Sequence, residues 1–505
     1  MTNKRITKML LCLSMALGLF TSCYEDKGNY DYISENDAAG VVLGSMEGAT
    51  VKANDVLKIE PQMKGGVGDN FTYLWYTLSS GTYNVTKDTL SQERILDVPV
   101  NLKEGKYTLY YQVTNQSNGV FRSVEAPLTV TASDVTSGWY VMKEVSGGTD
   151  FDYYSLDGQK TINDFLTSSL GMEPLKGSPV GMVFLNASYN HEEENTNGTT
   201  TKETELSAYH IMSTQDFITL NGSDFSLLKN LDQEFYEAPS HINFSQLFID
   251  SSLRDQGLDI DYCYLINNGK LHAMGSEIGK WGYQGAGDYE LYPSLVLAGF
   301  RGEFAYDMKN KMIVNCSTDG TVKNAPSLFG GDFTEFKDKD MQVSAVVPHI
   351  GGFSPEFYIV AKSGEDGKYY VANVSTFPPY VYQAEYYEFA ADSPLNHAKI
   401  MASPQAASVI YYAIDNKLYM HKVTTGEDCL VKTFAEGENI SFIQNFTGTD
   451  KNGESFNDMV IVTNTATGYH VYQFPMVGSA GELKTDVSPS MSGTGKASYL
   501  MFRQE

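Results

Sequence analysis

Ile410-Tyr411-Tyr412-Ala413-Ile414-Asp415-Asn416-Lys417-Leu418-Tyr419 reads as two short apolar runs joined by a polar turn. Aromatic and β-branched residues on both sides of Asp-Asn are hairpin chemistry, because such pairs accept the left-handed backbone that a tight reversal needs. The same unit recurs along the chain. Trp139-Tyr-Val-Met precedes Phe151-Asp-Tyr-Tyr, Tyr209-His-Ile-Met precedes Phe217-Ile-Thr-Leu, and Tyr264-Leu-Ile-Asn-Asn-Gly-Lys-Leu271 is a complete hairpin in itself. Phe304 to Ile313, Phe357 to Val371 and Val460 to Tyr472 repeat the pattern.

With Trp139, Tyr209, Tyr264, Phe304, Phe357, Ile410 and Val460 as phase markers, the spacings are 70, 55, 40, 53, 53 and 50 residues. A four-stranded propeller blade takes about 40–50 residues, and a period of that size marks such arrays. The spacing predicts a seven-bladed β-propeller over residues 134–505. The polar, acidic segment His191 to Thr204 accounts for the long first interval as a protruding loop. A second pair of all-β sandwiches competes with this reading, but it supplies no reason for a period near 50.

Upstream, residues 38–133 carry regular short strands between Gly, Asn and Asp turns: Val51 to Ile59, Phe71 to Tyr76, Lys106 to Thr114 and Val120 to Val130. That pattern predicts an antiparallel sandwich, with Trp75 as a core plug. The fold class is therefore all-β, an immunoglobulin-like sandwich followed by a propeller.

The first 22 residues have Lys4, Arg5 and Lys8, then an apolar run from Met9 to Phe20, then Thr21-Ser22-Cys23. This is the pattern of an export signal. The run is too short to cross about 30 Å of hydrocarbon. A cysteine at the cut turns the signal into a lipoprotein signal, so Cys23 is expected to carry lipid, which anchors a soluble domain to a bilayer without inserting it. Residues 23–37 read as a flexible polar tether. Without the leader, 33 basic residues stand against 62 acidic ones, a net charge of −29, which argues against nucleic acid as a partner.

The lipobox, the start Cys23-Tyr-Glu-Asp-Lys-Gly-Asn-Tyr-Asp-Tyr32, and the strand Gly105-Lys-Tyr-Thr-Leu-Tyr-Tyr-Gln-Val-Thr-Asn115 resemble the PKD-like lipoprotein family of Bacteroidota. The acidic residues after Cys23 resemble a surface-export signal, which places the chain on the outer membrane facing outward. The resemblance implies an association with Sus-type importers: a TonB-dependent transporter and its substrate-binding lipoprotein as partners, and a glycan or peptide as ligand. It brings no catalytic residues.

The residues themselves point the same way. GxSxG and HExxH are missing, and Ser490 stands where a Walker loop before Gly495-Lys496 needs its first glycine. Ser317-Thr-Asp-Gly-Thr321 and Asp450-Lys-Asn-Gly-Glu454 place glycine wrongly for an Asp box and a calcium loop, and both read as turns. Eight isolated histidines and the three cysteines left after Cys12 and Cys23 (Cys263, Cys316 and Cys429) form no metal spacing. No cofactor or metal is expected.

Two aromatic stretches are candidates for binding, or else for packing between blades. One, Gly279 to Pro293, holds Trp281, Tyr283, Tyr289 and Tyr292; the other, Phe377 to Phe389, holds Tyr380, Tyr382, Tyr386 and Tyr387. The expected function is that of a non-catalytic surface lipoprotein, an accessory binding or assembly component of a nutrient importer. The alternatives are a propeller glycoside hydrolase or lyase with paired carboxylates, and a surface adhesin.

Overall fold

The computed structural model describes residues 33–504 apart from 81–84, 195–199, 251–260, 298–302, 329, 350–355, 378–380 and 405–406. Cys23 and Tyr380 lie outside the described residues. Strands dominate, and the helices are single turns such as Phe165–Ser168 and Leu231–Glu234. No helix among the described residues is long and apolar enough to cross a membrane.

The chain forms two compact units. Among the described residues, the first comprises residues 33–48 together with Ile59–Leu96 and Thr108–Pro127; the second comprises Ala49–Lys58, Asp97–Tyr107 and everything from Leu128 onward. In the first unit, Phe71–Ser80 pairs antiparallel with Val85–Ser91 on one side and with Thr108–Asn115 on the other. Val41–Leu43 pairs with Met63–Gly65 in a separate ladder. Trp75 is the plug of this unit: it is fully buried, its ring lies 4.2 Å from that of Tyr111, and its Nε1–H donates to the Glu93 carbonyl at 3.0 Å.

In the second unit, sheets built from consecutive antiparallel strands follow one another, seven among the described residues. The second sheet is Pro179–Glu194, Thr200–Ser213, Phe217–Asn221 and Leu227–Asn230. The fifth is Gln342–His349, Glu356–Lys362, Tyr369–Phe377 and Val381–Phe389, and the sixth starts at Met401. The seventh contains Asn439–Thr449, Ser455–Asn464 and Gly468–Val477, with Met491–Thr494 paired to the last of these. The first sheet takes its inner strand from the far end of the chain: Lys496–Arg503 pairs with Gly138–Val145, which pairs with Gly148–Ser155. This strand lies beside the first strands of both the second and the seventh sheets, which closes the ring.

Packing follows the same order. One apolar cluster joins each sheet to the next, for example Tyr140, Phe151, Tyr209 and Ile211 between the first and second. The last joins the seventh sheet to the first through Trp139, Val141, Val460, Val462, Tyr469 and Leu500. The fold is a propeller, as the period implies.

All seven phase markers sit on the second strand of their sheets, counted from the inner edge. The reversal at Asn268-Gly269 has φ of 50° and 70°, the backbone that Asn-Gly favours in a tight hairpin. The long first interval contains a two-stranded ladder: Glu194 still pairs with Thr200, so the described part of the acidic insertion extends the sheet. The short interval after Tyr264 belongs to the third sheet, which has only three regular strands among the described residues.

Candidate functional site

The Gly279–Pro293 stretch runs along the open edge of the third sheet. Gly282 N–H donates to Ala273 O and Gly285 N–H to Leu271 O, while Trp281 N–H donates to Glu234 O. Trp281 is thereby turned inward and is 0% exposed, packed with Phe217 and Phe235 between the second and third sheets. Tyr289 is buried between the third and fourth sheets, and its hydroxyl donates to Gly285 O. Tyr292 packs at the next interface and donates to Ser344 O. Tyr283 alone of the four faces solvent, at 66% exposure.

In the second stretch, Tyr382 is fully buried with its hydroxyl on Asn315, and half-buried Tyr386 donates to Glu335 at 3.0 Å. Half-buried Tyr387 donates to Glu385 at 2.7 Å. A tyrosine ring between sheets contributes area, and its polar tip must find a partner there. The partners of Tyr289, Tyr292 and Tyr382 are internal, whereas Tyr387 meets Glu385 at the surface. Trp281, Tyr289 and Tyr382 therefore present no ring face to a ligand, and the structure does not gather the seven described aromatics into one surface.

A large cleft lies elsewhere, at the seam where the ring closes. It measures about 1000 Å³, and its lining comes from both ends of the propeller sequence: Trp139, Tyr154 and Lys160 from the first sheet and its outer turn, Phe456, Asn457, Asp458 and Gln473 from the seventh. The turn at Asp450 forms part of the rim, its carboxylate accepting from Asn452 N–H and Glu454 N–H.

Beneath the cleft the two sheets are locked by buried polar groups. Lys143 Nζ lies 2.6 Å from Asp152 and 2.8 Å from Asp164, with the Lys143 and Asp152 side chains fully buried. Asp152 also accepts from the Tyr469 hydroxyl at 2.6 Å, and Tyr469 meets the Tyr154 hydroxyl at 2.8 Å. Burial works to lower the Lys143 pKa, but the two carboxylates outweigh it and hold the ammonium above its usual range. Burial pushes the Tyr154 hydroxyl up to about 12, so it stays protonated on the cleft floor. Gly493 completes the lock: a Cβ there would stand 2.5 Å from Asp152 Oδ2 and 2.6 Å from the Tyr469 ring. Asp458 is different, because burial raises its carboxyl above the usual range with no counter-charge acting on it.

Two further polar networks are internal. His210 bonds Thr219 at 2.7 Å, and Thr219 donates to Glu234 at 2.5 Å. Burial pushes Glu234 up to about 7 and His210 down to about 3. In the seventh sheet Glu438 accepts from Thr463, Tyr472 and His470. A smaller pocket of about 340 Å³ on the innermost strands is lined by Phe184, Gln444, Phe446, Arg503 and Gln504, with no carboxylate in its lining. Among the described residues no cluster of three or more His, Cys, Asp or Glu could hold a metal, and Cys263, Cys316 and Cys429 are unpaired.

A PKD-like family pattern matches residues 23–179. The PKD-like match takes in the sandwich strands and runs into the propeller up to Pro179. The comparison with curated proteins finds no match. Among solved structures, a quinonprotein alcohol dehydrogenase-like protein from Bacteroides thetaiotaomicron is 12% identical with a TM-score of 0.41, covering 91% of this chain and 97% of that one. Virginiamycin B lyase from Staphylococcus aureus is 11% identical with a TM-score of 0.32, over 60% and 90% of the two chains. The extracellular domain of a putative one component system from B. thetaiotaomicron is 11% identical with a TM-score of 0.33, over 61% and 35%.

Sequence reading missed the seam cleft because its two walls are some 300 residues apart. The available signal was Asp458, a charge directly before the apolar run Met459 to Val462.

Proposed function

We propose that this chain is a non-catalytic, lipid-anchored surface protein whose propeller captures a glycan or peptide at the seam cleft for a Sus-type importer. The observation that carries the reading is the cleft itself. Its volume is of the size that accommodates small ligands, and it sets aromatic edges beside amides, hydroxyls, carboxylates and lysines. The Lys143–Asp152–Tyr469 lock supports it by fixing the two walls, since a preformed site saves the cost of ordering side chains on binding. The sequence of the leader and Cys23 supports outward display on a lipid, with the acidic tether as spacer.

The test is retention of glycan and peptide fractions by the soluble chain. Phe456→Ala combined with Gln473→Ala is expected to cut retention at least tenfold while leaving the melting temperature within about 3 °C. Unchanged retention overturns the cleft as the capture site. Copurification from membranes tests the anchor and the partner: wild type should bring down a TonB-dependent transporter, whereas Cys23→Ser should leave the membrane fraction.

A further inference from the structure

Asp458 sits on Ser455–Asn464, two residues beyond Phe456 and therefore on the same face of the strand. Its partner across the ladder is Pro475, which has no N–H to offer. Its backbone carbonyl is used, accepting from Asn445 Nδ2 at 3.0 Å. Its carboxylate is not: it is half-buried in the cleft wall, and burial is the one influence acting on it. Apart from that of exposed Glu454, the other carboxylates in this region are served. Asp150 accepts from Leu166 N–H, Thr167 N–H and the Thr167 hydroxyl, Asp152 from Tyr469, Asp157 from Ser155 and Gln159 N–H, and Asp450 from its own turn. A half-buried carboxylate without a protein donor keeps its acceptor sites open to whatever enters the cleft.

The remaining lining narrows what that is. Asp450, Glu454 and Asp458 oppose an anionic ligand, and of the two lysines in the lining Lys451 opposes a cationic one, Lys160 being held by Asp55 and Asp134. Uncharged hydroxyls suit both, because they donate to the Asp458 carboxylate and also accept from Lys451 and from the Asn457 and Gln473 amides. Phe456, beside Asp458, offers an apolar surface to the C–H face of a ring.

We propose that the seam cleft binds a neutral oligosaccharide and that the Asp458 carboxylate anchors it by accepting hydrogen bonds from a pair of its hydroxyls. The proposal rests on the reading of the cleft as the capture site, and it names the ligand class.

Calorimetry on the soluble full-length chain decides it, with neutral hexasaccharides of glucose, xylose and mannose, hexagalacturonate as the anionic probe and hexalysine as the cationic one. At least one neutral hexasaccharide should bind and the two charged probes should not. Asp458→Ala should weaken that binding about 10- to 100-fold, the loss of hydrogen bonds to a charged group. The isosteric Asp458→Asn keeps one acceptor and should weaken it less, which separates loss of anchoring from loss of fold. Binding of hexalysine or hexagalacturonate in place of the neutral probes overturns the ligand class, as does binding of none. Neutral binding that survives Asp458→Ala but falls in Phe456→Ala overturns the anchor and leaves the cleft standing. Neutral binding indifferent to both variants removes the cleft itself.

Discussion

Asp152→Ala is expected to open the propeller at its seam. The Lys143 and Asp152 side chains are fully buried 2.6 Å apart, and the Tyr469 hydroxyl depends on the same carboxylate. Removing one partner of a buried pair leaves a desolvated charge, which costs about 3–5 kcal/mol. Lys143 keeps Asp164 at 2.8 Å, but that carboxylate is 40% exposed and screened by water, so the lower end, about 3 kcal/mol, is the expected loss. Urea unfolding followed by far-ultraviolet circular dichroism reads the loss. The double variant Lys143→Met with Asp152→Leu removes both charges and should recover all but about 1 kcal/mol, since apolar replacement of a buried pair is often neutral. A loss under about 1 kcal/mol for Asp152→Ala, or a double variant equal to the sum of the singles, refutes the reasoning.

Gly493→Ala should destabilise by about 1–3 kcal/mol through overpacking, because its Cβ would press on Asp152 and Tyr469; a melting curve matching wild type contradicts this. Trp281→Ala should cost about 3–5 kcal/mol as a core truncation, whereas Tyr283→Ala should stay within about 0.5 kcal/mol, both by chemical denaturation. Glu234 has a folded pKa pushed up to about 7, above its ordinary value, so its contribution is present at low pH and lost as pH rises through about 7. Melting temperature should therefore fall between about pH 5 and 7 in wild type, and fall less in Glu234→Gln; parallel profiles would assign the decline to other groups.

The second and third strands of each propeller sheet were legible because they are buried on both faces and joined by short polar turns. Val409–Ile414, with five buried residues and one half-buried, is such a strand. The outer and inner strands gave weaker signals: the outer Thr161–Ile162 and the inner Val296–Leu297 and Met401–Ala402 are two residues long. The closing strand Lys496–Arg503 left no local mark of its role, since its partner Gly138–Val145 lies at the opposite end of the propeller sequence. Trp75 was readable as a core residue because it lies in a strand whose alternation is clear. Trp281 was not, because it lies in a glycine-rich segment without periodicity, where only the pairing with Glu234 and Ala273 turns it inward. The cleft has the same origin: neither wall carries a motif, and the site exists only when the ring is closed.

Hydrogen exchange of the soluble chain with and without a bound neutral hexasaccharide tests the central claim most directly. The account predicts slowed exchange at Ser155 to Thr161 and at Ser455 to Asp458, the two walls of the seam cleft, with no change at Gly279 to Pro293. Protection at Gly279 to Pro293 with the seam unchanged would contradict it.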